Sequence, residues 1–331
     1  MMVRIGYHAS HEQFPPSELL SYVRAAEAAG FEAVMCSDHF APWSAKHQGQ
    51  SGFAWSWLGA AMATTRVPFG VVTTPVGWRY HPAVIAQAAA TLEEMFPGRF
   101  WMALGSGEAM NEHIVGDRWP SKAERNERLL EAVDVMRRLF AGQTVSRRGH
   151  IVVDRARLYT RPEEPPGMIG AALSPPTSAL HATWAEGLAT INFPREELER
   201  IVGAFRENGG ARKPVRLQVH LSYAETEAEA LRNAMDQWAV NAVPRLLTEN
   251  LQTTEEYDAL YGLVREEDVR KSVFISSDPK EHVRYLEGLM DLGFESVYLH
   301  NVGRNQREFI EVFGDEVLPK LRERRPALTV S

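Results

Sequence analysis

The stretch Phe31-Glu32-Ala33-Val34-Met35-Cys36-Ser37-Asp38-His39-Phe40-Ala41-Pro42-Trp43 joins an apolar run to polar and aromatic side chains. Residues 31–36 are typical of a buried strand. In barrel enzymes the residues after a strand's carboxyl end carry the chemistry, and an imidazole beside a carboxylate can move protons near neutral pH. Two interpretations stay open from these residues alone. His39 belongs to a catalytic site, or Asp38 caps the next turn and His39 is an ordinary surface residue.

Strand-like and helix-like segments alternate on both sides of this stretch. Residues 3–7 predict a strand, and residues 16–30 predict a helix that ends at Gly30. Further strands are predicted at 67–72, 100–105, 167–172, 188–191, 216–223 and 296–299, with a short extended run at 273–275. Further helices are predicted at 55–64, 81–96, 121–141, 176–186, 195–207, 279–292 and 306–321.

Eight predicted strands with intervening helices, and no Pro- and Ser-rich linker, predict an α/β protein with one (β/α)8 TIM barrel over residues 1–331. Alternating polar and β-branched residues predict a hairpin insertion near 144–160. The segment near 225–271 holds more helical pattern than one crossover needs, which predicts a helical insertion. A doubly wound sheet is the alternative fold. Against it, the chain after the first strand reads Gly6-Tyr7-His8-Ala9-Ser10 and lacks the glycine-rich dinucleotide fingerprint.

Composition excludes several classes of function. The net charge of −7 argues against binding nucleic acid. No apolar run approaches the roughly 20 residues that cross a bilayer, and the chain enters its first strand without a leader pattern, so we expect a cytoplasmic protein with no membrane partner. The single cysteine, Cys36, excludes a disulfide framework and a cysteine-rich zinc site. We expect no metal, because His8 lacks the neighbouring His that metal-dependent barrel hydrolases often carry after the first strand.

If the fold is a barrel, its strand ends bring several polar residues to one mouth. Glu12 follows the first strand, His39 and Trp43 the second, and Glu108 the fourth. A flat indole at Trp43 offers a stacking or cation-stabilising surface, although it could equally be packing. Thr73 also belongs to this set, at the end of the third strand.

Two loops have the composition of ligand-binding turns. In Gly105-Ser106-Gly107-Glu108, two glycines let the backbone approach a flat or charged ligand before a carboxylate is presented. Ser174 and Thr177 begin a predicted helix, where hydroxyls and free amides could hold a phosphate or could simply cap the helix.

Taken together, these motifs resemble the luciferase-like superfamily of flavin- and deazaflavin-dependent oxidoreductases, and within it the branch of coenzyme F420-dependent glucose-6-phosphate dehydrogenases. The resemblance covers nearly the whole chain. It rests on Ala9-Ser10-His11-Glu12-Gln13-Phe14, Ser37-Asp38-His39-Phe40 with Pro42-Trp43, Arg79-Tyr80-His81-Pro82-Ala83-Val84-Ile85-Ala86-Gln87, Gly105-Ser106-Gly107-Glu108-Ala109-Met110-Asn111-Glu112 and Ser277-Asp278-Pro279.

The resemblance implies a luciferase-like (β/α)8 barrel, usually a homodimer, that holds coenzyme F420 or FMN at the carboxyl ends of its strands. It implies that His39 is the base or hydrogen-bond partner at the reacting centre and that Trp43 lines the substrate pocket. Glu108 would act as an acid near the ring, and Glu12 is a second carboxylate of the site. Val71-Val72 occupies the position of a non-proline cis peptide bond in the family. The expected cofactor-binding residues are Val71, Val72, Thr73, Gly105, Ser106, Gly107, Asn111, Ser174 and Thr177.

Three departures from the sugar-phosphate branch bear on substrate and cofactor. Ile191 and Pro194 stand where that branch presents a Thr and a Lys, and a second phosphate-binding Lys aligns with Ala259. We therefore expect a small organic substrate other than glucose 6-phosphate. The run Leu173-Ser174-Pro175 replaces a glycine pair that cradles the deazaflavin phosphate, which keeps FMN open as the alternative.

The predicted function is hydride transfer between the cofactor ring and the small-molecule substrate. The alternatives are an FMN-dependent monooxygenase and a flavin-binding protein without catalysis.

Overall fold

A computed structural model describes residues 3–323. The remaining terminal residues of the predicted 1–331 domain lie outside the described residues. Most of the strands are parallel and surround a central axis. The strands are β1 (Arg4–Ala9), β2 (Ala33–Ser37), β3 (Phe69–Pro75), β4 (Phe100–Gly105), β5 (Val145–Arg148), β6 (Val152–Ala156), β7 (Gly167–Ala171), β8 (Leu188–Ile191), β9 (Val215–Ser222), β10 (Phe274–Ile275) and β11 (Ser296–Asn301).

Eight of these strands close into a barrel in the order β1-β2-β3-β4-β7-β8-β9-β11, and β11 pairs back onto β1. Every neighbouring pair in the ring is parallel. The two-residue strand β10 pairs beside the end of β9. The prediction of a (β/α)8 barrel is confirmed. The doubly wound alternative is wrong, because hydrogen bonds between β8 and β9 close the eight strands into a ring.

Helices follow the strands of the barrel. Pro16 at the start of the first helix lacks an N–H that would be unsatisfied there in any case, and Gly30 ends the helix in the left-handed region with φ 100°. The helices are α1 (Pro16–Ala29), α2 (Ala54–Thr64), α3 (Pro82–Met95), α4 (Ala109–Glu112), α5 (Lys122–Phe140), α6 (Pro175–Ala182), α7 (Arg195–Phe205), α8 (Glu227–Trp238), α9 (Arg245–Thr248), α10 (Thr254–Tyr261), α11 (Glu266–Ser272), α12 (Pro279–Met290), α13 (Gln306–Val312) and α14 (Leu318–Glu323).

Large side chains fill the barrel near the amino ends of the strands. Trp101 and Tyr298 pack against each other there, with ring centroids 5.8 Å apart. A Cβ atom on Gly70 would collide with the Trp101 ring, and one on Gly6 would collide with the Tyr298 ring. The barrel is therefore closed at this end, and the polar residues described below lie at the carboxyl ends of the strands.

The third strand contains a bulge at its carboxyl end. Its pairing with β4 shifts register between Val71 and Thr74, and the peptide bond between Val72 and Thr73 is cis. The expected position of this bond, Val71-Val72, was wrong by one residue, because the two residues skipped by the ladder are Val72 and Thr73.

Two segments extend beyond the strand and helix repeat. The strands β5 and β6 pair antiparallel as a hairpin outside the barrel sheet. Helices α8 to α11 occupy the stretch between β9 and β10, and Tyr257 of α10 packs against Trp43 with ring centroids 5.4 Å apart. Among residues 3–323, no helix combines the length and the apolar character needed to cross a bilayer.

Candidate active site

His39 and Glu12 form a polar pair at the mouth of the barrel. The Nε2 atom of His39 lies 3.5 Å from Oε1 of Glu12, and the two side chains are 12% and 3% exposed. The other oxygen of Glu12 accepts hydrogen bonds from Ser10 Oγ at 2.9 Å and from Ser37 Oγ at 2.5 Å. Burial alone would raise the pKa of Glu12, but the charge of His39 and the Ser37 bond outweigh burial and lower it. Glu12 is therefore an ionised carboxylate with one oxygen directed at His39.

Asn111 determines which nitrogen of His39 carries the proton. Its Oδ1 accepts hydrogen bonds from the backbone N–H groups of Phe40 at 2.8 Å and Ala41 at 3.4 Å. The Nδ2 atom of Asn111 consequently faces Nδ1 of His39, at 3.4 Å, and donates to it. In the neutral imidazole the proton then lies on Nε2, on the side of Glu12. His39 is thus a hydrogen-bond donor at the mouth of the barrel.

Trp43 forms the aromatic wall of the same mouth. Its ring lies 4.9 Å from the ring of His39, at an angle of 61°. On its other side it contacts Tyr257 of the helical insertion, so one indole joins the loop after β2 to the helices after β9. The structure therefore brings Glu12, His39 and Trp43 together, as the strand ends predicted, and adds Asn111, which the resemblance had implied only as a cofactor-binding residue.

A buried ionic network supports the loop that carries His39. Arg79 donates to Asp38 Oδ1 at 3.0 Å, to the Asp38 carbonyl at 2.7 Å and to Glu112 Oε1 at 2.5 Å. Asp38 also accepts from the Tyr80 hydroxyl at 2.7 Å and from the Trp55 indole at 3.1 Å. The Asp38 carboxylate is thus occupied by the side chains around it, so it supports the loop and is not available for proton transfer.

The carboxyl of Glu112 completes this network. Burial raises its pKa to about 7, against the opposing influence of the Arg79 charge. Arg79 and Glu112 belong to two of the sequence motifs, but the sequence predicted no role for either. Their pairing links the segment after β3 to the helix after β4, and no spacing along the chain marks such a contact.

Glu108 lies at the start of the short helix α4, where its carbonyl accepts from the N–H of Asn111 at 3.0 Å. No side-chain hydrogen bond joins Glu108 to His39 or Glu12 within residues 3–323. Gly107 has φ +83°, and a Cβ there would lie 3.0 Å from the Glu112 side chain. The glycine is therefore needed both for the turn and for the close approach of Glu112.

The predicted phosphate region has a cation, Lys122, that the sequence did not reveal. Lys122, in the first turn of α5, donates to Ser106 Oγ at 2.5 Å. Ser174 Oγ donates to Thr177 Oγ1 at 3.1 Å at the start of α6. The first two residues of α6 are prolines, so the helix start offers fewer N–H donors than expected. Ser106 follows β4 and Ser174 follows β7, and these two strands are paired in the barrel, so the two loops leave it side by side.

The described part of the chain contains no group of three or more His, Cys, Asp or Glu side chains that could hold a metal ion. The polar mouth instead offers hydrogen-bond donors, one ionised carboxylate and an indole.

The closed parallel barrel with this mouth defines the class of the protein as a luciferase-like (β/α)8 oxidoreductase. The model of the family described as "Luciferase-like monooxygenase" matches residues 1–300, and the chain belongs to that family. The resemblance stated from the sequence motifs is confirmed.

Several curated relatives align over nearly the full chain. An F420-dependent glucose-6-phosphate dehydrogenase from Microbacterium testaceum is 36% identical over 332 residues, covering 97% of this chain and 98% of the relative. A protein of the same name from Beutenbergia cavernae is 36% identical over 336 residues, covering 98% of each.

A solved structure of similar shape is described as an F420-dependent secondary alcohol dehydrogenase in complex with an F420-acetone adduct. It superposes with a TM-score of 0.90 at 31% identity and covers 97% of this chain and 100% of that chain. These relatives therefore use one cofactor and are named for different substrates.

Proposed function

We propose that this protein is an F420-dependent oxidoreductase that interconverts a small alcohol and its carbonyl compound. The observation that carries the proposal is the buried Glu12–His39 pair, whose proton positions are fixed by Ser37 on one side and Asn111 on the other. The names of the full-length relatives support F420 as the cofactor.

The residues at the mouth fit a phosphate-bearing deazaflavin. Lys122, Ser106, Ser174 and Thr177 offer one cation and three hydroxyls, which suit a phosphate anion. Gly105 leaves no room for a Cβ beside Thr73, so the backbone after β4 lies against the bulge of β3. A flat ring can approach this backbone closely. When bound, the deazaflavin accepts or donates a hydride.

The protein's own residues handle the proton. The Nε2–H of His39 is directed to the space beside Glu12, where it can donate to the oxygen of a bound alcohol or carbonyl group. Glu12 is ionised and has one oxygen free of the Ser10 and Ser37 bonds, so it accepts the hydroxyl proton during oxidation. Of the two roles that the sequence left open for His39, the proposal takes that of hydrogen-bond partner. Trp43 shields this space from water.

The substrate we propose is not glucose 6-phosphate. The segment after β8 presents Ile191 and Pro194, which carry no charge. Ala259 is exposed on α10. A phosphate dianion would find no counter-charge from these three residues, and burying an unpaired dianion is costly. Homodimeric assembly and a cytoplasmic location belong to the same proposal.

Equilibrium titration with F420 and with FMN, followed by cofactor fluorescence, tests the proposal. We expect saturable binding of F420 and at least about tenfold weaker binding of FMN, equivalent to about 1.4 kcal/mol. A secondary alcohol added to the F420 complex under anaerobic conditions should bleach the oxidised cofactor, and glucose 6-phosphate should not. Binding of neither cofactor, or tighter binding of FMN, would contradict the proposal.

A further inference from the structure

A cavity lies beside the candidate active site, at the carboxyl ends of β8 and β9. It has a volume of about 210 Å³, and a cavity of about 150 Å³ is large enough for benzene. Trp238, which lines it, packs in the same apolar cluster as Trp43. Much of the remaining wall is apolar, formed by Ile191, Phe193, Pro194 and Ala242. The cavity can therefore receive one end of a small organic molecule.

Three polar groups of the cavity residues have no hydrogen-bond partner within residues 3–323. The indole Nε1 of Trp238, a residue only 4% exposed, and the side-chain Nδ2 of Asn241 are buried and unpartnered. His220 lines the cavity as well, and its ring is bonded only through Nε2, so its Nδ1 has no partner within the described residues. An indole N–H can only donate. A buried donor without an acceptor costs about 1–3 kcal/mol, so the Trp238 and Asn241 donors favour a ligand that supplies an acceptor.

Whether His220 donates or accepts through Nδ1 follows from a chain of hydrogen bonds that begins at a backbone carbonyl. Gln13 Nε2 donates to the carbonyl of Val302 at 2.7 Å, which fixes the orientation of the Gln13 amide. Its Oε1 is then the atom that lies 2.8 Å from Nε2 of His300, and that nitrogen must carry a proton. Burial lowers the pKa of His300 well below its usual value, so the ring is neutral and its Nδ1 has no proton.

Gln218 transmits this orientation to His220. Its Nε2 faces Nδ1 of His300 at 3.4 Å, and because that nitrogen can only accept, the Gln218 amide must donate. The same Nε2 lies 3.2 Å from Nε2 of His220, which is therefore also an acceptor. Burial lowers the pKa of His220 to about 3, so this ring is neutral too. Its one proton lies on Nδ1, the nitrogen without a partner.

We propose that this cavity is a substrate subsite for an uncharged hydrogen-bond acceptor, such as an ester or ketone carbonyl, and that His220 is the specificity-determining donor. The proposal rests on the proposed function, because it assigns the cavity to the part of the alcohol or ketone away from the reacting carbon. An uncharged acceptor fits best. Lys271, the cation that lines the cavity, is 70% exposed and already pairs with Asp268 at 3.2 Å.

Two ketones with the same number of heavy atoms test the subsite. Methyl acetoacetate carries an ester carbonyl beyond its ketone, and 2-heptanone carries only methylene groups there. We expect the full-length protein loaded with F420 to bind methyl acetoacetate about tenfold more tightly than 2-heptanone, the effect of one added hydrogen bond. Titration would be followed by tryptophan fluorescence and by the ¹⁵N resonances of labelled histidines. His220→Phe should abolish the preference, and His150→Phe, a matched change on the hairpin, should retain it.

The ¹⁵N spectrum of the unmodified protein gives a second test that needs no variant to fold. It should show His220 as the Nδ1–H tautomer, with its resonance assigned by its loss in His220→Phe or His220→Asn. An Nε2–H tautomer, equal binding of the two ketones, or binding of neither would overturn the subsite. Reduction of the ketones by reduced F420 is measured in parallel. If the binding preference holds but no ketone is reduced, the proposed function fails and the subsite stands. If both are reduced without preference, only the subsite fails.

Discussion

Replacing Arg79 by Met should destabilise the protein strongly, because it leaves two buried carboxylates without their shared cation. The side chains of Arg79, Asp38 and Glu112 are only 5%, 1% and 0% exposed. Removing one partner of a buried ion pair costs about 3–5 kcal/mol, a large part of the roughly 5–15 kcal/mol that stabilises a typical domain. We expect a loss in this range at about pH 8.5, measured by urea unfolding followed by circular dichroism.

The loss should be smaller at about pH 5, and the reason is the protonation of Glu112. Its pKa is raised from 4.5 to about 7 in the folded protein. A carboxyl with a raised pKa favours the folded state at low pH, and this contribution disappears as the pH rises from about 4.5 to about 7. At about pH 5 Glu112 is mostly neutral, so removal of Arg79 leaves only Asp38 unpaired. The Arg79→Met, Glu112→Gln double variant should likewise recover part of the loss at high pH.

A matched control is available on the surface. Arg118 pairs with Glu124 but is 75% exposed, so Arg118→Met should cost less than about 1 kcal/mol. The reasoning would be refuted by a similarly small loss for Arg79→Met, or by a loss that is equal at the two pH values.

Variants at three further positions test the separate parts of the site. His39→Ala should lower kcat by about 10²-fold or more and leave the affinity for F420 nearly unchanged, because the His39 imidazole donates to the substrate oxygen. Unchanged turnover in steady-state kinetics would contradict this role. Glu12→Gln should also lower kcat. The folded-state pKa of Glu12 is lowered, so its carboxylate stabilises the protein above the unfolded-state pKa. The variant should therefore lose less stability than the unmodified protein on acidification below about pH 4.5. An unchanged dependence of the free energy of unfolding on pH in that range would refute this. Lys122→Met should weaken F420 binding by about 1.5–3 kcal/mol in a fluorescence titration, and Lys122→Arg by much less. Equal affinities of Lys122→Met and the unmodified protein for F420 would exclude Lys122 from the phosphate site.

The order of elements made the barrel predictable from the sequence. Strands such as β4 and β8 are bounded by loops and alternate with long amphipathic helices, and the structure gives both with the predicted limits. The resemblance implied a cis bond at Val71-Val72, whereas the bond lies at Val72-Thr73. Periodicity could not supply the right position, because it does not show where a ladder skips residues.

The site was predictable where its residues follow strands directly. Glu12, His39 and Trp43 leave neighbouring strands at one end of the barrel, so parallel topology alone brings them together. Lys122 and the Arg79–Glu112 pair could not be found this way. Each of them contacts a residue on another element, and such contacts depend on how the helices pack on the barrel, as between Ser106 and Lys122.

The chain of amides and histidines behind β9 is a harder case. The direction of each hydrogen bond there follows only from the neighbouring one, starting from the carbonyl of Val302. No pattern of residue types along the sequence contains that information.

Transfer of deuterium from a labelled alcohol tests the central claim most directly. The F420-loaded protein is mixed anaerobically with 2-propanol that carries deuterium on its carbinol carbon, and the cofactor is analysed by mass spectrometry after it bleaches. We predict that the reduced cofactor gains one deuterium and that bleaching is slower than with unlabelled alcohol. A cofactor that stays oxidised, or one reduced without acquiring the label, would contradict direct hydride transfer at the Glu12–His39 site.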